Sequence, residues 1–125
     1  MAHFAQLDGD NKVINVIVVA DAIITNSEDE QVEQLGIDFC KATYGNDTNW
    51  KQTSITDSMR KEYAGIGGVY NATKNIFIAP QPYESWSLNS DDDWVAPITK
   101  PDDGNVYIWD EDAYQADNSE GWVQL

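Results

Sequence analysis

Two apolar segments near the beginning of the chain have the composition of β-strands. Residues 4–7 and 13–19 are rich in β-branched and apolar side chains, and the Asp8-Gly9 pair between them is typical of a tight hairpin in which glycine supplies the positive φ. The second of these segments is apolar almost throughout. We therefore expect it to be a central strand that is covered on both faces over part of its length.

The pattern then changes to a helical period. Ser27 and Glu30 have the spacing of a capping box, and apolar residues recur after them at intervals of three and four. These residues are Val32, Leu35, Phe39 and Cys40. The pattern predicts one amphipathic helix over about residues 28–44, ending at Gly45 and covering one face of the hairpin. Gly36 costs this helix about 1 kcal/mol relative to alanine.

The last third of the chain repeats one motif. Residues 82–95 and 105–123 each contain a short aromatic strand, an acidic turn and a second strand that begins with Trp-Val, and residues 69–78 carry a looser version. Proline-rich joints precede and separate the two repeats. We predict a β-dominant α+β fold in a single domain, 1–125, with strands and turns only after Trp50. It comprises a hairpin-helix-strand core, 1–79, and duplicated Trp-rich acidic hairpins, 80–125.

Charge limits the classes of partner. The chain has 22 acidic and 7 basic residues, a formal net charge of −15, and its final 35 residues hold ten acids and one lysine, Lys100. Phosphate contacts dominate nucleic-acid binding, so we expect no direct contact with DNA or RNA. An inhibitor that mimics nucleic acid stays an alternative. The other interpretation of the charge is that an acidic surface keeps the protein soluble and monodisperse in salty surroundings.

The reactive residue types are scarce. His3 is the only histidine and Cys40 the only cysteine, so one chain cannot form a disulfide or a two-histidine metal site. We therefore expect no enzyme, no cofactor and no metal, with Cys40 a small buried hydrophobe. The acidic runs lack the spacing of a calcium loop and indicate solvated turns. No apolar run spans a membrane and no signal peptide is evident, which predicts a cytoplasmic protein.

The aromatic residues beside the acidic turns have two interpretations. They could pack across strands, or they could bind a partner. A carbohydrate-binding module would stack sugar rings on exposed and roughly coplanar Trp86 and Trp109, with Asp and Asn accepting hydroxyl protons. The candidate anchors, for a protein interface or a glycan, are Trp86, Trp94, Trp109, Trp122, Tyr83 and Tyr107.

Six segments together resemble small virion-associated proteins, many of them uncharacterised, of marine tailed bacteriophages, especially those of cyanobacteria. The segments are 1–8, 13–19, 49–54, 60–67, 82–86 and 107–111. The resemblance covers nearly the full length and departs at residues 55–59. It implies a non-enzymatic structural or accessory virion protein that acts through protein–protein contacts, located in the virion or, during assembly, in the host cytoplasm.

The partners that the resemblance implies are other virion proteins or further copies of the chain. In such an assembly the basic pair Arg60 and Lys61 could meet an acidic shell. A module that recognises host surface glycan and an acidic mimic of nucleic acid remain as alternative functions.

Overall fold

The computed structural model describes all residues, 1–125, and has a β-dominant α+β fold, as the sequence predicts. The chain forms two compact units, Met1–Pro80 and Gln81–Leu125. The first unit contains β1 (Ala2–Leu7), β2 (Val13–Val19), α1 (Asp21–Ile24), α2 (Glu33–Tyr44), β3 (Asn49–Thr53), β4 (Val69–Asn71) and β5 (Ile76–Ile78). The second contains β6 (Ser87–Leu88), β7 (Trp94–Val95), β8 (Tyr107–Trp109), α3 (Glu111–Ala116) and β9 (Trp122–Gln124). None of the three helices has the length and apolar character needed to cross a membrane.

The main sheet is antiparallel with the order β2-β1-β3. The predicted central position of the Val13–Val19 strand is therefore wrong, because β3 pairs with the other side of β1 and leaves β2 at an edge. The apolar run of β2 is only partly covered. Val13 and Val19 are buried at its ends, whereas Ile14 and Val18 are exposed.

Each face of β1 packs against its own hydrophobic core, because successive side chains of a strand point to opposite faces. Phe4 lies in the core that includes Cys40 of α2, which confirms that the helix covers one face of the sheet. Ala5 and Leu7 lie in the core that includes Phe77 of β5. The first core contains Ala2, Phe4, Val19, Ile24, Cys40 and Trp50, and the second contains Ala5, Leu7, Val13, Ala64, Tyr70 and Phe77.

The helix α2 begins at Glu33, so the predicted start near residue 28 is wrong. Ser27 does not cap it, and Val32 occupies the N-cap position without a side-chain hydrogen bond. The residues before it are engaged in a separate turn, described next. The helix ends at Tyr44 and is followed by Gly45 with a φ of 126°, as predicted.

A five-residue turn recurs three times, at residues 8–12, 26–30 and 89–93. In each, an Asp or Asn side chain at the first position accepts hydrogen bonds from the backbone N–H groups of the third and fifth residues. The fourth residue has a positive φ, which Asn and Asp tolerate better than most residues. These fourth residues are Asn11 (61°), Asp29 (61°) and Asp92 (60°). The positive φ expected at Gly9 thus belongs to Asn11.

The second unit contains the two predicted hairpins, β6–β7 and β8–β9. Each second strand begins with Trp-Val, at Trp94 and Trp122. The expectation of strands and turns alone after Trp50 is wrong, because α3 lies in the connection between β8 and β9. The side chain of Asp110 caps α3 by accepting a hydrogen bond from the backbone N–H of Ala113.

Candidate interaction surfaces

Three tryptophans form an indole cluster inside the second unit. The Trp109 ring centroid lies 6.0 Å from that of Trp86 and 5.2 Å from that of Trp122. The Trp86 and Trp122 centroids are 6.1 Å apart. Tyr83 and Tyr114 extend the cluster, at 5.3 Å from Trp86 and 5.5 Å from Trp109. The structure therefore brings together four of the six predicted anchors and adds Tyr114.

The cluster is internal packing, since Trp109 is only 7% exposed and Trp86 and Trp122 are half-buried. Trp109 Nε1 donates to Glu111 Oε1 at 2.9 Å, and Trp122 Nε1 donates to the Ile98 carbonyl at 2.7 Å. Trp86 Nε1 is buried without a nitrogen or oxygen partner. The expectation that Trp109 is exposed is wrong.

The same geometry contradicts the arrangement expected of a sugar-stacking platform. The ring planes of Trp86 and Trp109 meet at 77°, an edge-to-face contact, and the rings are not coplanar. Edge-to-face contact between aromatic rings is a favoured packing arrangement and leaves no flat surface on which successive sugar rings could stack.

The two remaining anchors lie on the hairpins themselves. Tyr107 is half-buried and its hydroxyl donates to Asp103 Oδ2 at 2.6 Å. This hydrogen bond, with one from the backbone N–H of Asn105, lowers the pKa of Asp103, and it raises the pKa of Tyr107. Trp94 is half-buried and pairs with Leu88 across the β6–β7 hairpin.

Glu111 is a polar centre that the sequence reasoning missed. It accepts hydrogen bonds from Ser85 Oγ at 2.6 Å, Trp109 Nε1 at 2.9 Å and Gln115 Nε2 at 2.7 Å. These donors, Ser85 first, favour the carboxylate and lower the pKa of Glu111. Glu111 therefore joins α3 to the chain before β6 and orients the Trp109 indole. The sequence feature that could have identified Glu111 is its position two residues after Trp109, at the start of an acidic helical turn.

The most exposed large apolar side chains of the second unit are aliphatic. Ile108 pairs with Val123 across β8–β9, and the backbone N–H of Leu125 donates to the Val106 carbonyl at 2.9 Å. These four residues alternate with Trp109 and Trp122 along the hairpin, so they share its opposite face. We call them the aliphatic face: Val106 (63% exposed), Ile108 (51%), Val123 (40%) and Leu125 (74%).

The basic pair of the first unit is not a free surface patch. Arg60 Nη1 and Nη2 contact the Glu33 carboxylate at 2.6 and 3.1 Å, and Nη1 also donates to the Gln52 carbonyl at 2.8 Å. Burial alone would raise the pKa of Glu33, but hydrogen bonds from Arg60 and from the Gln52 N–H outweigh it and lower the pKa. Lys61 lies 3.6 Å from Glu62. Arg60 is therefore engaged within its own unit, and the suggestion that the basic pair meets an acidic shell stays a prediction.

The only histidine lines a concavity of about 330 Å³ in the first unit, together with Asp21, Ser54 and Ser58. The His3 ring packs edge-on against Tyr63, at 5.6 Å between centroids, and forms no hydrogen bond with the serine hydroxyls. Ser58 instead donates to Ser54 at 2.7 Å. These contacts are those of a structural network and lack the nucleophile–base hydrogen bond of an acyl-transfer site.

Cys40 is fully buried in the core beneath α2, as predicted, and burial raises the pKa of its thiol to about 11. The thiol is therefore protonated at neutral pH and behaves as a small apolar group. No three His, Cys, Asp or Glu side chains of the chain are grouped so that they could hold a metal ion.

No family model, no curated protein and no solved structure matches this chain. The resemblance to phage proteins stays a prediction, and any functional interpretation depends on the geometry described above.

Proposed function

We propose that this chain is a non-enzymatic structural or accessory virion protein that binds another virion protein through its aliphatic face. The observation that carries the proposal is the row of four exposed aliphatic side chains on the β8–β9 hairpin. An exposed apolar patch with a polar rim is typical of a protein–protein contact site.

The energetic argument follows from burial. Complete burial of a Val, Ile or Leu side chain contributes about 1.5–3 kcal/mol. Ile108 and Val123 lie opposite each other at the centre of the face and are 51% and 40% exposed. A partner that covers the whole face would gain several kcal/mol, which fits the central patch of a modest interface.

Charge favours a partner other than a second copy. Residues 81–125 include eleven acidic residues and one basic residue, Lys100. Two such units brought face to face would repel each other, whereas a partner with an apolar centre and a Lys- or Arg-rich rim would be attracted. The proposed occupant is therefore a different virion protein with a basic rim. The virion context comes from the resemblance to marine phage proteins.

The non-enzymatic part of the proposal is supported by how the reactive groups are used. Cys40 is buried in the core, His3 packs on an aromatic ring, and Glu111 accepts three hydrogen bonds within its own unit. Each of these groups already has a structural role.

The test is incorporation into particles. Mass spectrometry of purified virions of the encoding phage should detect the wild-type chain, and an Ile108→Asp variant should be at least about tenfold depleted, which corresponds to about 1.4 kcal/mol of lost binding energy. Ile66→Asp is the matched control, because Ile66 is 66% exposed in the first unit. This variant should be incorporated at the wild-type level.

Two results would contradict the proposal. Absence of the wild-type chain from purified virions rejects the virion role. Wild-type incorporation of Ile108→Asp rejects the aliphatic face as the binding surface. Circular dichroism of both variants must first match the wild type, so that loss of folding is not mistaken for loss of binding.

A further inference from the structure

A second concavity of the first unit, with a volume of about 360 Å³, has a composition unlike the rest of the chain. Its lining includes Lys41 of α2 and Lys51 of β3, together with the aromatic residues Trp50 and Tyr70. No aspartate or glutamate lines it. In a chain with 22 acidic residues, a carboxylate-free pocket with two ammonium groups is a local reversal of the overall charge.

Both lysines are half-buried and neither forms a salt bridge. Lys51 Nζ lies 5.5 Å from the centroid of the Tyr70 ring, a cation–π contact that holds the ammonium group at the pocket wall. Glu33 is close enough for Lys51 to lower its pKa, but its carboxylate is already engaged by Arg60. The positive charge of the pocket is therefore not neutralised by a direct partner.

The backbone of β3 adds a hydrogen-bonding edge. Gln52 directs its N–H to Glu33 Oε2 at 2.7 Å and its carbonyl to Arg60 Nη1 at 2.8 Å, so these groups close the outer edge of the strand at Gln52. Because outward-facing residues alternate along an antiparallel ladder, the backbone of Trp50 also points away from β1. Trp50 also lines the pocket.

We propose that this pocket binds a small anionic ligand, one with a carboxylate or phosphate group and a short planar or apolar body. Lys41 and Lys51 receive the anionic group, since Lys is a point-charge binder of both anions. The amide groups of Asn11 and Asn49 lie in the same wall and supply further donors. The apolar body contacts Ile37 and Leu7. The volume lies within the usual range for small-molecule pockets.

The site is independent of the proposed virion contact, because it is formed wholly within residues 1–80 and the aliphatic face lies within residues 81–125. The failure of either proposal leaves the other standing.

The test is an NMR titration of the ¹⁵N-labelled full chain with benzoate and, separately, with inorganic phosphate, at constant ionic strength maintained with chloride. Saturable shifts of the amide signals of Asn49, Trp50 and Lys51 with either probe would support the site. Benzoate presents a carboxylate on a planar body, and phosphate presents the anion alone, so the comparison shows which part of the ligand is recognised.

Charge variants separate binding from folding. In Lys41→Gln/Lys51→Gln the dissociation constant should rise at least about tenfold, and in Lys41→Arg/Lys51→Arg it should stay within a few-fold of the wild type. Lys100→Gln, in the other unit, removes one positive charge outside the pocket lining and should leave the dissociation constant within a few-fold of the wild type. Absence of saturable shifts with both probes, or equal binding by the double glutamine variant, would overturn the proposal.

Discussion

Replacing Gly36 with alanine tests the packing of α2 on the main sheet. Helix propensity alone predicts stabilisation, because glycine in a helix interior costs about 1 kcal/mol relative to alanine. The structure predicts the opposite. A Cβ atom at Gly36 would lie 2.0 Å from Phe4 Cζ and 2.5 Å from Phe4 Cε2.

The magnitude follows from the rigidity of Phe4. Carbon atoms in contact are normally about 3.5–4.0 Å apart, so Phe4 or the helix must move by more than an ångström. Phe4 is 0% exposed on the central strand and belongs to the same core as Cys40 and Trp50. Overpacking of this kind costs about 1–3 kcal/mol, and the short distance places this case at the upper end. Subtracting the propensity gain leaves a net destabilisation of about 2 kcal/mol.

Urea unfolding followed by circular dichroism at the helical band measures this change. Gly9→Ala is the control, since Gly9 has no positive φ and no atom within 4 Å of its added Cβ; it should be neutral or stabilising by up to about 1 kcal/mol. Phe4→Leu combined with Gly36→Ala should be less destabilised than the sum of the single changes. A Gly36→Ala protein as stable as the wild type would refute the contact between α2 and β1.

Three further changes test separate features. The folded-state pKa of Glu33 lies below its usual 4.5, so the stability that its carboxylate contributes is complete above pH 4.5 and is lost as the pH falls through the lowered pKa. Unfolding temperatures measured from about pH 3 to 6 should therefore depend less on pH in Glu33→Gln than in a Glu28→Gln control. Cys40, whose pKa burial raises to about 11, should react with a disulfide reagent only as fast as the protein unfolds, and rapid native-state labelling would contradict its burial. Asp8→Ala removes the acceptor of two backbone hydrogen bonds and should cost about 1–2 kcal/mol in chemical denaturation, while an equal loss in Asp10→Ala would deny Asp8 that role.

Local signals in the sequence predicted local structure well. The two C-terminal hairpins, the end of α2 at Tyr44 and the burial of Cys40 each follow from a pattern within a few neighbouring residues. The predicted start of α2 was wrong because two local signals competed. Ser27 and Glu30 suggested a cap, but Asn26 accepts hydrogen bonds from the backbone N–H groups of Glu28 and Glu30 and holds this segment in a turn.

Pairing between distant segments was beyond sequence reasoning. The central position of β1 depends on β3, which pairs with it in antiparallel register, Ala5 opposite Lys51, across more than forty residues. No pattern within 13–19 indicates that a later strand adds to the other side of β1. The same holds for Arg60, whose partner Glu33 lies on a helix far from it in sequence.

The sequence could not decide between packing and binding for the tryptophans, because an aromatic residue has the same composition signal in both roles. Side chains alternate between the two faces of the β8–β9 hairpin, so only one face can pack inside the unit. Trp109 and Trp122 lie on one face, and Ile108 and Val123 lie on the other. A unit as short as residues 81–125 has little interior, and an indole buries more apolar area than an isoleucine or valine. Folding the unit therefore places its largest rings inward, where Glu111 and the Ile98 carbonyl satisfy two of the indole N–H groups. The smaller aliphatic side chains Val106, Ile108, Val123 and Leu125 are left exposed at the surface, because the internal stability of the unit requires its largest rings inside.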